Sequence, residues 1–313
     1  MKIAVFGSGA VGGYFGGRLA AAGEDVWFLS RGRSLDALRR DGLTIVSPNG
    51  DLRLPNITAT DRPYEIGPVD IVLFAVKLYD AEAAAPALAP LIGPATAVIT
   101  VQNGVDVVDT VSRHVGREHV VGGAAYIIAA VDAPGRIRHT AKDSLVFGER
   151  DGSRSPRLAA FEAASQRAGF GATLSANIDV DLWTKFVRLA TWSGMTTVTR
   201  SPMGVIRDNP ALMAMMSAAL DEAIAVGQLR GIPLPSSLPD DTLALVKSFP
   251  DSSKSSMLED LEHGRRLELP WLSGAVARMG RESGVPTPIH RFITTVLGPF
   301  VAGKTDANPD PVA

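Results

Sequence analysis

The sequence predicts an α/β protein in which a doubly wound, mostly parallel sheet is followed by an all-helical C-terminal part. At the start of the chain, the short apolar strand Lys2–Phe6 runs directly into a glycine-rich turn and a helix. Near-continuous apolar strands then alternate with helical segments, as buried parallel sheets require. From about Asn177 onward, helical periodicity replaces the strand signals.

The glycine-rich turn has the sequence Gly7-Ser8-Gly9-Ala10-Val11-Gly12 and leads into a helix predicted over about Val11–Ala22. A strand followed by this spacing and a small-residue helix indicates a dinucleotide site. Gly7 permits a sharp turn, Gly9 leaves room for a pyrophosphate, and Gly12 permits close packing of helix and strand. N–H groups at the helix start attract phosphates. The alternative is a tight turn that binds no ligand.

The end of the second strand, Asp25–Leu29, distinguishes between the two nicotinamide dinucleotides. An NAD site usually has an acid here to accept hydrogen bonds from the ribose hydroxyls, but this chain has Ser30, Arg31 and Arg33. A guanidinium group binds a 2′-phosphate, which a carboxylate would repel. The sequence therefore favours NADPH, with Arg31 at the 2′-phosphate. The alternative is a pair of solvated loop arginines.

Apolar runs continue to about residue 150, with an alanine-rich helix over about Asp80–Leu91. Lys77 and Gln102-Asn103-Gly104 follow the ends of two strands, where doubly wound sheets bind ligands. We therefore predict a Rossmann-type NADP-binding domain over residues 1–176, in which the last two strands form an antiparallel pair. The further strands are predicted at Val69–Val76, Ala97–Val101, Val120–Ile128, Arg136–His139 and Ser144–Gly148.

Residues 177–302 are predicted to form a helical substrate domain, and the polar, proline-containing residues 303–313 a disordered tail. The long helices offer a surface on which a homodimer could form. Helices are predicted at Val180–Val198, Pro210–Arg230, Pro239–Phe249, Ser255–His263 and Pro270–Ser283.

Length and composition narrow the class of protein. A chain of 313 residues suits two domains, and a net charge of −2 with dispersed basic residues does not indicate nucleic-acid binding. The absence of cysteine excludes disulfides and thiolate metal sites and is compatible with a cytoplasmic location. We expect no signal peptide, no membrane helix and, since no histidine has a partner at ligand spacing, no metal.

Carbonyl reduction requires a proton donor and groups that orient the substrate. Lys185 lies in an apolar and aromatic stretch, where burial would lower its pKa; the alternative is a structural lysine with its head in water. Glu268 is flanked by leucines ahead of a predicted helix, where it could instead complement the helix dipole or pair with Arg265. For Ser255 and Ser256, the alternatives are that the side chain caps the start of a helix or that it binds a ligand.

Short motifs recur along the chain in a fixed order: GSGAVGG at 7–13, Arg31, VK at 76–77, VQNG at 101–104, LWTK at 182–185, SSMLED at 255–260, LEL at 267–269 and GVPTP at 284–288. In this order and spacing, they resemble the ketopantoate reductase (2-dehydropantoate 2-reductase) family, whose members reduce a 2-oxo acid with NADPH in pantothenate biosynthesis. The resemblance extends from the first residues to about Leu297.

The resemblance implies roles for individual residues. Lys185 matches the family lysine that protonates the substrate carbonyl, and Glu268 matches the glutamate that holds a substrate hydroxyl. Ser256 matches a substrate-binding serine. Asn103 matches an asparagine between cofactor and substrate, and Lys77 matches a lysine that lines the cofactor site.

Two positions on the helix of Lys185 depart from the family pattern. The family usually has asparagine four and eight residues after the lysine, on the same helix face, where this chain has Leu189 and Ser193. Leu267 also replaces a common threonine. Leucine lacks the donors and acceptor of an asparagine amide, so we expect a bulkier or less polar 2-oxo acid or a paralogue, with Ser193 still a candidate for substrate binding.

Two other classes of function remain open. A non-catalytic NADPH-binding sensor would keep the glycine turn and Arg31 but would not need Lys185 and Glu268 together. A 3-hydroxy acid dehydrogenase would more often carry a glycine-rich substrate loop, and Gln102-Asn103-Gly104 fits the reductase better.

Overall fold

The computed structural model describes residues 1–304. Residues 305–313 of the tail predicted over residues 303–313 therefore lie outside the described residues. The chain divides into two compact units. Of the described residues, the first contains Met1–Gln102 and Asp106–Asp181, and the second contains Asn103–Val105 and residues 182–304.

The first unit is built on one ten-stranded mixed sheet, with the strand order β4-β3-β9-β8-β7-β6-β1-β2-β5 and with β10 beside β9. The strands β5, β2, β1, β6, β7 and β8 are mutually parallel, which confirms the predicted Rossmann-type sheet. The strands are β1 (Lys2–Phe6), β2 (Asp25–Leu29), β3 (Leu43–Val46), β4 (Leu52–Leu54), β5 (Thr58–Thr60), β6 (Ile71–Phe74), β7 (Ala97–Thr100), β8 (Val120–Ala133), β9 (Arg136–Gly148) and β10 (Gly171–Leu174).

Close packing of the first helix on the sheet depends on glycine. A Cβ atom at Gly12 would lie 2.1 Å from the carbonyl oxygen of Gly7, and one at Gly16 would lie 2.5 Å from a methyl group of Val5. The helix can therefore lie directly on β1. The helices of this unit are α1 (Ala10–Ala21), α2 (Gly32–Asp41), α3 (Pro63–Ile66), α4 (Leu78–Ala84), α5 (Val107–Val115) and α6 (Pro156–Arg167).

Two predictions for the first unit are wrong. The helix expected over Asp80–Leu91 is α4 followed by a 3₁₀ segment, Ala85–Leu91, which contains two prolines that cannot donate to an α-helical ladder. The antiparallel pair expected within Arg136–Gly148 is one long strand, β9, which pairs with β8 instead. Lys142, with φ at 54°, forms a bulge between the paired residues Ala141 and Asp143, so polar residues interrupt the apolar pattern without ending the strand.

The strands β3, β4, β5 and β10 were not predicted. Each has only three or four residues, and polar residues or glycine interrupt the short apolar runs that made the equally short β6 and β7 recognisable.

The second unit is helical and encloses its own apolar core. The helix predicted over Pro270–Ser283 is interrupted: a 3₁₀ turn, Leu269–Trp271, is separated from the next helix by Leu272, whose φ of −110° and ψ of −105° are not helical. The helices are α7 (Ile178–Thr199), α8 (Met203–Arg207), α9 (Pro210–Leu229), α10 (Leu238–Ser248), α11 (Ser256–Glu262), α12 (Ser273–Ser283) and α13 (Pro288–Leu297), of which α8 and α13 were not predicted.

Helix α9 is the one helix among residues 1–304 that is long and apolar enough to cross a membrane by length and composition. One face of it is buried in the helical core, with Met216, Leu220 and Ala223 inaccessible or nearly so. Near its middle, Glu222 accepts hydrogen bonds from the N–H groups of Ile289 and His290 at the start of α13. These features indicate a core helix.

Arg157 on α6 connects several segments of the first unit. It donates two hydrogen bonds to the carboxylate of Glu149, at 2.8 and 2.9 Å, and others to the carbonyl oxygens of Thr96 and Glu118. Burial acts to raise the pKa of the Glu149 carboxyl, but hydrogen bonds from Arg157 and Ser155 outweigh it and hold the pKa below its ordinary value.

We expect Arg157→Ala to lower the free energy of unfolding by about 1–3 kcal/mol, because it leaves the largely buried Glu149 carboxylate with only the hydrogen bond from Ser155. Arg154 is the matched control, since it pairs with Glu162 while its side chain is 68% exposed, and Arg154→Ala should cost less than about 1 kcal/mol. Urea denaturation followed by circular dichroism measures both. Equal losses in the two variants would contradict the role of Arg157.

Candidate functional site

The glycine turn of the first unit has the shape of a phosphate cradle. Gly7 has a φ of 102°, and a Cβ atom there would lie 2.8 Å from the backbone nitrogen of Val76, so only glycine fits. A Cβ atom at Gly9 would meet nothing within 4 Å, so the space beside the backbone is open. No side chain within residues 1–304 caps the start of α1. The first N–H groups of this helix are therefore oriented to bind a phosphate.

A cavity of about 140 Å³ lies beside this turn, at the carboxyl ends of the strands. Its wall includes Gly7, Leu29, Arg31 and Val76, so it joins the glycine turn to the end of β2. The apolar part of the lining suits an adenine ring, and the guanidinium group of Arg31 suits a 2′-phosphate. The residues present therefore fit NADPH.

The structure separates the three polar residues predicted at the end of β2. Arg31 and Arg33 are exposed, whereas Ser30 is buried and accepts a hydrogen bond from the Ser8 hydroxyl at 2.7 Å. Ser8 and Ser30 therefore hold the turn and the strand end together. Lys77 is exposed directly after Val76, at the start of α4.

Asp61 also lines the cavity, and the sequence patterns did not single it out. It follows β5, which has only three residues and was not predicted. An acid after a short β-branched run, Thr58-Ala59-Thr60, is the signal that could have found it.

In the second unit, the structure brings together three of the predicted site residues. The amide nitrogen of Asn103 donates a hydrogen bond to the carboxylate of Glu268 at 3.0 Å, and Glu268 is only 7% exposed. Burial lowers the pKa of Lys185, on α7, from 10.5 to about 8, and the negative charge of Glu268 opposes this shift. A lysine with such a pKa can donate and regain a proton near neutral pH.

The alternative roles of Glu268 and of the two serines are now distinguishable. Arg265 pairs with Asp260 at 2.7 Å, while Glu268 is held by Asn103. The hydroxyl of Ser255 accepts a hydrogen bond from the N–H of Leu258 and so caps α11.

Ser256 is the first residue of α11, and its side chain is exposed. It is therefore the serine of this pair that remains accessible to a ligand.

The two positions that depart from the family pattern differ in their surroundings. Leu189 is partly buried against the apolar core of the second unit. Ser193 is fully buried, and its hydroxyl has no hydrogen-bond partner among the described residues. The structure thus leaves substrate binding by Ser193 as a prediction.

Comparison with known proteins agrees with this geometry along the whole chain. The family model described as ketopantoate reductase PanE/ApbA matches residues 3–152, and the model of its C-terminal domain matches residues 177–300. An uncharacterized oxidoreductase, YkpB, of Bacillus subtilis is 31% identical over 97% of this chain and 100% of its own length.

A 2-dehydropantoate 2-reductase of Mesorhizobium japonicum is 31% identical over 92% of this chain and 94% of its own length. The crystal structure of 2-dehydropantoate 2-reductase from Geobacter metallireducens superposes with a TM-score of 0.89 at 28% identity, covering 96% of this chain and 99% of that chain. The protein therefore belongs to the ketopantoate reductase family of nicotinamide-dependent oxidoreductases.

Proposed function

We propose that this protein is an NADPH-dependent reductase that transfers hydride to the carbonyl carbon of a small 2-oxo acid. The observation that carries the proposal is Lys185, which is partly buried and has its pKa lowered to about 8, in the field of a Glu268 carboxylate held by Asn103. Family membership and the cavity beside Arg31 support the same reading.

In this proposal, each residue of the site has a separate role in the reduction. NADPH, when bound at the glycine turn, supplies the hydride. The ammonium group of Lys185 donates a proton to the oxygen of the carbonyl as negative charge develops on it. Glu268 accepts a hydrogen bond from a substrate hydroxyl, Asn103 orients Glu268, and Ser256 contributes a further hydrogen bond to the substrate.

The substrate follows from the same residues. The site suits a substrate with a hydroxyl group that Glu268 can bind and a carboxylate that a cationic group such as Lys185 attracts. 2-Dehydropantoate has both groups, and it is the substrate in the names of the relatives. Leu189 in place of an amide favours a less polar substituent on that 2-oxo acid. The cytoplasmic location and the homodimer stay predictions from the sequence.

The proposal is tested by initial rates of NADPH oxidation with a panel of 2-oxo acids headed by 2-dehydropantoate. We expect turnover of at least one of them, and Lys185→Ala should lower kcat by about 10²–10⁴ because the proton donor is lost. Lys247→Ala, which removes a lysine from an exposed position on α10, is the matched control and should keep the wild-type rate.

The outcomes of this panel separate the candidates. Efficient reduction of 2-dehydropantoate would support a place in pantothenate biosynthesis. Reduction of a branched apolar 2-oxo acid alone would attribute the substrate preference to positions 189 and 193. Tight NADPH binding without any turnover, or a Lys185→Ala variant within a few-fold of the wild-type rate, would contradict the proposed mechanism.

The pH profile provides a second test. Lys185 must be protonated to donate, so kcat/KM for reduction should be level below about pH 8 and fall about tenfold per pH unit above it. Because the charge of Glu268 raises the pKa of Lys185, Glu268→Gln should move this limb to lower pH. A limb that stays in place in Glu268→Gln would show that another group titrates.

The glycine turn yields a matched pair of variants. Gly9→Ala should cost at most about 1 kcal/mol of stability, since the methyl group meets no neighbour, but should weaken NADPH binding at least about tenfold by blocking the pyrophosphate. Gly12→Ala should lose about 1–3 kcal/mol or more of stability, because its Cβ would overlap the Gly7 carbonyl. Calorimetric titration and urea denaturation measure both. Unaltered NADPH affinity in a folded Gly9→Ala protein would place the cofactor elsewhere.

A further inference from the structure

The cavity beside the glycine turn contains an acid as well as an arginine. We propose that the carboxylate of Asp61 repels the 2′-phosphate of NADPH and accepts a hydrogen bond from the ribose 2′-hydroxyl of NADH, so that Asp61 opposes Arg31 and keeps NADH usable. This inference rests on the proposed function, because it presupposes a nicotinamide dinucleotide in that cavity.

The sheet places Asp61 beside the end of β2. Strands β2 and β5 are parallel neighbours, with Leu29 opposite Thr60. The N–H of Ser30 donates a hydrogen bond to the carbonyl oxygen of Thr60 at 3.1 Å. The segments that follow β2 and β5 therefore leave the sheet side by side, at the usual spacing of about 4.8 Å between strands. Arg31 follows one strand and Asp61 follows the other, and both line the same cavity.

The carboxylate of Asp61 is accessible to a ligand. Its side chain is 49% exposed, and its ion pair with Arg62 is long, at 4.0 Å, and solvent-screened. The turn that carries it is held by its neighbours: the hydroxyl of Thr60 donates to Glu65 at 2.6 Å and accepts a hydrogen bond from the N–H of Arg62. A held turn with an accessible carboxylate presents that charge to the cavity in a defined place.

The chemistry of the two cofactors gives the sign of the effect. In NAD sites an acid at the end of the second strand accepts hydrogen bonds from the ribose hydroxyls. Here that strand ends in Ser30 and Arg31, and the acid comes from the adjacent strand instead. Arg31 attracts a 2′-phosphate, whereas Asp61 repels it and binds the hydroxyl that NADH has in its place.

Asp80, the other acid in the cavity wall, is in a different position. It lies on α4, which follows β6, and β1 separates β6 from β2 in the sheet. Asp61 is thus the acid adjacent to the end of β2, and Asp80→Asn serves as a control that removes the same charge from another part of the same cavity.

The test is calorimetric titration of the full-length chain and of its variants with NADPH and NADH, and with ADP-ribose and its 2′-phosphate as fragments. For Asp61→Asn we expect a Kd for NADPH about three- to tenfold lower and a Kd for NADH about tenfold higher. Arg31→Ala should weaken NADPH alone. The fragments should repeat both trends, since the contact involves the adenosine ribose.

Two control variants make the result specific. Asp25→Asn removes an exposed charge from the opposite end of β2 and should leave the ratio of the two Kd values within about twofold. Asp80→Asn, in the wall of the same cavity, should change that ratio less than Asp61→Asn does. Equal changes for both cofactors in Asp61→Asn, no change, or a larger change of the ratio in Asp80→Asn would overturn the assignment of Asp61 alone. Failure of the wild-type chain to bind either cofactor would overturn the proposed function as well.

Discussion

The proposed chemistry depends on the cost of keeping a charged lysine out of water. Burial lowers the pKa of Lys185 to about 8, and the carboxylate of Glu268 prevents a larger shift. Glu268 is itself buried and is held by the amide of Asn103. Each of these polar groups is tolerated in the second unit because another one is placed to interact with it, so the three act as one set.

The first unit satisfies a different constraint, the close approach of backbone to backbone and to phosphate. Gly12 and Gly16 allow α1 to lie on β1, and Gly7 adopts a conformation that other residues rarely take. Beside Gly9, at the start of the helix, a Cβ atom would meet no other atom within 4 Å, so the space there is open. In the cavity beside it, Arg31 after β2 contributes a positive charge and Asp61 after β5 contributes a negative charge.

Local and non-local features were predictable to different degrees. The parallel strands with apolar runs and the long helices of the second unit follow from periodicity, and their bounds differ by only a few residues from those expected. The 3₁₀ segment after α4 was missed although Pro86 and Pro90 mark it in the sequence. The interruption at Leu272 and the bulge at Lys142 were missed because each is a single-residue departure from the surrounding pattern. The strands β3, β4, β5 and β10 have too few side chains to show a period and lack the continuous apolar runs of β6 and β7.

The sequence by itself determined the glycine turn, the arginine at the end of β2 and the lysine in an apolar stretch, because each depends on residues adjacent in the chain and on the turn geometry they allow. Only the tertiary structure decided that Asn103 binds Glu268, a residue 165 positions away, that Ser30 is buried against Ser8, and that Asp61 shares a cavity with Arg31. Such contacts depend on which strands and loops become neighbours. That choice is made by the burial of the whole sheet and helical core, and no local spacing encodes it.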